Sequence, residues 1–143
     1  QSLEETLGLT VELSVAGDSS LFIADRNEGN YDFFLGGWYS DYNDPLDFLY
    51  TNYTDAYGMS FGGYSNTDYD ALADQLVGET DMDKRLDIYK QMEQILLLDD
   101  CAFAPIYYAT KQVLLQNWVK DYRTSSFGAS AEFIWTYIDG KNQ

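Results

Sequence analysis

The run from Asp81 to Leu98 constrains the fold most. Tyr89, Met92, Ile95 and Leu96 fall one, four, seven and eight places after Ile88, the single apolar stripe of an amphipathic helix. Lys84, Asp87, Lys90, Gln91 and Glu93 are left to water, and Asp99 and Asp100 terminate the run. A second helix precedes it. Asn66 or Thr67 caps it, Asp68 and Asp70 favour its N-terminal dipole, and Tyr69, Leu72, Ala73 and Leu76 form its apolar side before Gly78 ends it.

Other segments read as strands. Thr10 to Val15 alternates, with Val11, Leu13 and Val15 on one face. Tyr31 to Trp38 reads as a second strand, with Phe33, Phe34 and Leu35 buried. Phe103 to Ala109 and Gln112 to Leu115 read as a pair around Thr110 and Lys111, with Pro105 marking an edge or a first strand residue. Phe133 to Ile138 is expected as a last strand after a Ser/Gly-rich loop. Gln1 to Leu9 reads as the end of a helix closed by Gly8, Gly17 to Ser20 as a turn, and Leu21 to Arg26 as a short helix. Thr51 to Tyr64 reads as irregular. Strands alternating with helices and no internal repeat make the chain α/β.

One stretch points to function: Gly36-Gly37-Trp38-Tyr39-Ser40-Asp41-Tyr42-Asn43-Asp44-Pro45. Asp44 can cap a helix, Pro45 suits the first helical position, where its missing N–H costs nothing, and Asp47 favours the first turn. Asparagine caps as well as aspartate, so Asp44→Asn is expected to be nearly neutral. Asp41 has no such local role. It is framed by Trp38, Tyr39 and Tyr42, rings able to stack on a ligand or hydrogen-bond to it.

These residues carry a resemblance. GGWYSDYNDPLDFL resembles the segment of oligopeptide- and dipeptide-binding proteins, the extracytoplasmic receptors of peptide ABC importers, that reads glycine, tryptophan, two variable positions, aspartate, tyrosine, a turn residue, acid, proline. Phe61 to Leu72 is similar to the family's glycine, tyrosine, serine, asparagine run that opens a helix. Arg85 to Tyr108 is similar to its amphipathic helix, acidic turn and strand ending in proline and paired tyrosines, and Gln116 to Val119 to its tryptophan turn. The match runs from about residue 3 to about residue 138, and this order of several pieces makes it specific where one piece would be weak. The chain departs from the pattern in being far shorter than such a receptor and in carrying Cys101 in the acidic turn, where a small or apolar residue is expected.

The resemblance implies a C-terminal piece of a periplasmic-binding-protein type II fold, a mixed sheet flanked by helices. Residues 1–118 would belong to one lobe, and 119–143 would be a returning tail with the final strand. It implies a site in which the aspartate matching Asp41 receives the α-ammonium of an extended peptide, with Gly37, Trp38, Tyr39, Ser40 and Tyr42 as neighbouring contacts. The implied partners are an oligopeptide and the permease subunits of an importer. The implied location is outside the cytoplasm, with any membrane anchor and targeting signal lying elsewhere in the parent.

Composition agrees. At 143 residues the chain is about one domain. It starts at Gln1 without a signal peptide or lipidation box, and no apolar run reaches the 18 or so residues of a membrane span. Its 24 acids against 8 bases, a formal charge of −16, exclude nucleic-acid binding, which needs clustered Lys and Arg. The single Cys101 excludes an internal disulfide and reads as a small buried side chain. With no histidine, Ser-His-Asp and Cys-His triads and most zinc sites drop out. A glycosidase-like carboxylate pair from Asp41 with Asp44 or Asp70 remains, but the capping readings of Asp44 and Asp70 need no second site. Neither Asp41 to Asp44 nor Asp81 to Asp83 continues as a calcium loop.

The sequence therefore reads as a binding protein without catalysis, cofactor or metal. The alternatives are a carbohydrate-binding module or a receptor for another non-peptide ligand, which would also use exposed aromatics, and a plain acidic domain whose tyrosines only pack. Surfaces covered by a parent would be open in an isolated piece, so the isolated chain is expected to dimerise.

Overall fold

The computed structural model describes residues 2–54, 63–125, 127 and 131–141. The chain divides into two compact units, residues 1–35 with 61–63, and residues 36–60 with 64–143.

The first unit holds α1 (Ser2–Leu7) and α2 (Ser19–Glu28). Gly8 closes α1, its N–H donating to the Glu4 carbonyl at 2.9 Å. The expected turn at Gly17 to Ser20 is confined to a bend at Gly17 and Asp18, and Ser19 and Ser20 already begin α2. Asp18 is its N-cap, its Oδ1 accepting the Ser20 and Leu21 N–H groups at 2.8 and 2.9 Å. Gly29 ends α2 at φ 70°, a left-handed conformation that glycine adopts without steric cost. Phe34 meets Tyr31 and Phe22 edge-on, with ring centroids 5.2 and 6.2 Å away. Phe34 is half-buried, but Phe33 and Leu35 are exposed, contrary to the expected buried strand.

The core of the second unit is helical. It contains α3 (Leu46–Tyr53), α4 (Thr67–Leu76) and α5 (Met82–Gln94), with α3 and α4 both against α5. The expected stripes build it: Tyr69, Ala73 and Leu76 from α4 and Ile88, Tyr89 and Met92 from α5 are buried with Leu49 and Leu96, while Leu72 is only half-buried. Full burial of one such side chain is worth about 1.5–3 kcal/mol. Asn66 caps α4 and Asp81 caps α5, each accepting two backbone N–H groups. The Tyr69 hydroxyl donates to the Leu49 carbonyl at 2.8 Å, tying α4 to α3.

The long helix does not run regularly to Leu98. It widens into a π turn at Ile95–Asp99, closed by Asp100 and Ala102 N–H groups donating to the Ile95 and Leu96 carbonyls. Cys101 then adopts φ 50° and is exposed, which corrects the expectation of a buried thiol.

The strand expectations fail most. Thr10 to Val15, Tyr31 to Trp38, Phe103 to Ala109 and Gln112 to Leu115 pair with no strand among the described residues. Tyr108 is 97% and Leu114 99% exposed. Alternation makes a segment fit for a sheet, but a strand exists only when its N–H and C=O groups meet a neighbour. The ladder that forms joins β1 (Val119–Lys120) to β2 (Tyr137–Ile138), antiparallel, with Val119 opposite Ile138. The last strand is thus two residues rather than Phe133 to Ile138. The tryptophan turn is present, with the Val119 N–H donating to the Gln116 carbonyl at 2.9 Å. The irregular segment expected at Thr51 to Tyr64 begins later, since α3 continues to Tyr53; residues 55–62 lie outside the described residues. Among the described residues no helix is long and apolar enough to cross a membrane.

Candidate functional site

The stretch from Gly36 leads into α3 through a tight turn in which the Asp44 N–H donates to the Tyr42 carbonyl at 3.0 Å. Asp44 Oδ1 then accepts the Leu46 N–H at 2.9 Å, so Asp44 caps the helix as expected, with Pro45 at helical φ −54°. Capping is only part of its role, which corrects the sequence reading. Asp44 Oδ2 accepts from Arg85 Nη2 at 2.8 Å, and Oδ1 also accepts from the Tyr89 hydroxyl at 2.6 Å. Arg85 donates in addition to Tyr89, and from Nη1 to the Leu76 and Glu79 carbonyls.

One guanidinium therefore holds the end of α4, the turn after it and the start of α3 against α5. Burial alone would raise the Asp44 carboxyl, but the Tyr89 hydroxyl, the Leu46 N–H and the Arg85 charge outweigh it and hold the group below the usual carboxylate range. Burial first, then the Asp44 acceptor and its charge, push the Tyr89 hydroxyl up to about 12.

Asp47 was expected only to complement the helix dipole. Instead it is buried, and its Oδ2 accepts from the Trp38 indole N–H at 2.8 Å and from the Asp41 backbone N–H at 3.2 Å. The loop from Trp38 to Asp41 is thereby held at both ends by the first turn of α3. Trp38 and Ser40 are half-buried, whereas Gly37, Tyr39, Asp41 and Tyr42 are exposed. Among the described residues none donates a hydrogen bond to the Asp41 carboxylate. The Lys111 ammonium lies 5.4 Å from the centre of the Tyr39 ring, a cation–π contact.

The structure thus brings the expected residues onto one anchored loop with an exposed carboxylate at its end. Sequence reasoning missed Asp47, Arg85, Tyr89 and Lys111. A signal existed for Arg85 alone, a lone guanidinium next to the apolar stripe of the firmest helix. A second missed cluster closes the π turn, where Asp100 Oδ2 accepts from the Tyr64 hydroxyl and the Asn66 amide, both at 2.7 Å. Those two bonds lower the Asp100 carboxyl, and the Tyr64 hydroxyl is raised by burial and by Asp100. Among the described residues no group of three or more Cys, Asp or Glu side chains is placed to hold a metal ion.

No family model matches the chain. Individual proteins do. The periplasmic oligopeptide-binding protein OppA of Escherichia coli (strain K12) is 30% identical over 119 residues, which are 83% of this chain and 21% of that protein. The oligopeptide-binding protein OppA of Bacillus subtilis (strain 168) is 31% identical over 118 residues, 82% of this chain and 20% of that protein. The solved structure of the pheromone receptor PrgZ, described with its mode of peptide binding, superposes with a TM-score of 0.73 at 30% identity, covering 96% of this chain and 26% of the receptor. The relatives of this chain are thus oligopeptide- and dipeptide-binding proteins, matched over one portion of their length. Its fold is accordingly an α/β portion of a solute-binding-protein fold, and it spans about a fifth to a quarter of the length of the family members it matches. These family members are binding proteins by their descriptions, not enzymes.

Proposed function

We propose that this chain is part of the substrate-binding component of a peptide ABC importer, that it works outside the cytoplasm, and that it carries no catalytic activity. A transported peptide always offers a backbone and an α-ammonium while its side chains vary, so a receptor for many sequences grips the constant parts. The observation that carries the assignment is the Asp41 carboxylate, exposed at the end of a loop whose backbone is fixed from below. It can receive the ammonium in a charge-assisted hydrogen bond worth about 1.5–3 kcal/mol. Tyr39 and Tyr42 offer exposed rings beside it, and Gly37, Trp38 and Ser40 contribute backbone. The carbohydrate alternative is set aside: Trp38, the best platform for a sugar, is half-buried and commits its indole N–H to Asp47.

Within the complete receptor, residues 1–118 form part of one lobe and 119–143 the returning tail. Segments 103–109 and 112–115, which join no strand among the described residues, find their sheet neighbours there, and permease subunits are the partners at the membrane. An isolated chain, with those surfaces open, is prone to dimerise, against the opposition of its net charge.

The test is Asp41→Asn in the full-length receptor, with matched free-amine and N-acetylated peptides measured by calorimetry. The free-amine form loses about ten- to a hundredfold in affinity or somewhat more, and the acetylated form, already weak, loses little further. Equal loss on both forms means that Asp41 acts through structure and overturns the assignment.

A further inference from the structure

Asp47 is the feature of this loop that capping and dipole arguments do not account for. An acid in the first turn of a helix satisfies the dipole equally well while facing water, yet Asp47 is only 1% exposed. A buried carboxylate is retained where its oxygens are hydrogen-bonded. Here one oxygen, Oδ2, takes the Trp38 indole N–H and the Asp41 backbone N–H. That geometry fixes where the Asp41 backbone sits, and so where its side chain starts, before any ligand arrives. A loop already ordered in the bound arrangement does not lose that freedom on binding.

We infer that Asp47 is a positioning residue for the ligand ammonium: it touches no peptide and sets the affinity for the free amino terminus by holding the Asp41 backbone through its N–H and the loop's other end through Trp38. The inference rests on the reading of Asp41 as the ammonium acceptor. It distinguishes the two carboxylates by task, one meeting solvent and ligand, the other buried beneath them. The negative charge of Asp47 also strengthens both bonds relative to a neutral acceptor, while an asparagine there keeps a carbonyl oxygen able to accept them.

The experiment uses the full-length receptor with trialanine and N-acetyl-trialanine in calorimetry, and hydrogen exchange of the Asp41 amide by mass spectrometry. Asp47→Ala weakens trialanine by about tenfold, leaves N-acetyl-trialanine within about twofold, and speeds exchange of the Asp41 amide at least about tenfold. Asp47→Asn recovers most of the affinity and of the protection. In an Asp41→Asn background, Asp47→Ala adds less than about twofold, because the two residues act on one contact. Should Asp47→Ala fail to fold, Trp38→Phe removes one of the two bonds and shows the same selective loss to a smaller degree. Equal weakening of both peptides, full additivity with Asp41→Asn, or an unchanged Asp41 exchange rate overturns the positioning role. Failure of Asp41→Asn to separate the two peptides instead overturns the reading of Asp41, and with it this use of Asp47.

Discussion

Arg85 and Asp44, 41 residues apart in the chain, meet at 2.8 Å between Nη2 and Oδ2. The Arg85 side chain is largely buried and that of Asp44 is one-third exposed, so the pair stands between a surface salt bridge, worth little, and a fully buried one, costly to break. It also closes the start of α3, from which the candidate loop is held. Sequence reasoning made Asp44 a cap that asparagine could replace without loss. The structure reverses that expectation.

Asp44→Asn keeps the Leu46 cap but leaves Arg85 and the Tyr89 hydroxyl facing a neutral amide. After discounting for solvent screening, the expected loss is about 1–2 kcal/mol. Urea unfolding of the two proteins measures it as a lowered midpoint at unchanged slope. A difference below about 0.3 kcal/mol would return Asp44 to a simple capping role.

The same carboxylate sets an acid dependence. Burial raises it, but the Tyr89 and Leu46 hydrogen bonds and the Arg85 charge together keep the folded value below the ordinary 3.8. A depressed folded pKa means that its stabilisation is present above pH 3.8 and is lost as pH falls through the folded value. The stability gap between wild type and Asp44→Asn is therefore expected to hold steady from neutrality down to about pH 5 and to close below about pH 4. A gap that persists undiminished in acid would show that the loss comes from packing rather than charge.

Helices were legible because their evidence is local. The stripe of Ile88, Tyr89 and Met92 and the caps Asn66 and Asp81 need no knowledge of what lies across the core. Asp41 stood out in the sequence as the acid without a local task, and in the fold it is exposed. The strands were not legible, because the alternation of Thr10 to Val15 or Phe103 to Ala109 describes one side of a pairing whose other side it does not name. Asp47 was hidden for a related reason: a sufficient local explanation, the helix dipole, covered a contact to Trp38 nine residues earlier.

Alkaline titration reads the other end of the network. Of 13 tyrosines, Tyr89 is pushed by burial and by Asp44 up to about 12 from 10.0, and Tyr64 is raised too, by burial and Asp100. A raised folded pKa contributes stability that is complete below pH 10 and lost as pH climbs through 12. Absorbance of ionised tyrosine is expected to show a late step from these two rings, above the ordinary value of 10.0. Tyr89→Phe shrinks that step, and urea removes it by restoring ordinary titration. A single step near pH 10 in the folded protein would contradict the Asp44–Tyr89 bond.

Cys101 offers the sharpest check on the end of the long helix. It sits at φ 50°, where a side chain with a Cβ is disfavoured by about 1–2 kcal/mol. Glycine removes that strain but enlarges the freedom of the unfolded chain, an opposing effect of about 0.4–1 kcal/mol. Cys101→Gly is therefore expected to leave the protein as stable or up to about 1.5 kcal/mol more stable, where a buried cysteine would leave a cavity and a loss. Cys101→Val, β-branched at a left-handed position, is expected to destabilise. Because the thiol is exposed, a disulfide reagent should label it in the folded chain at a rate near that of the unfolded one. Slow labelling together with a destabilised glycine variant would mean that the side chain is packed, contrary to its exposure at the end of the π turn.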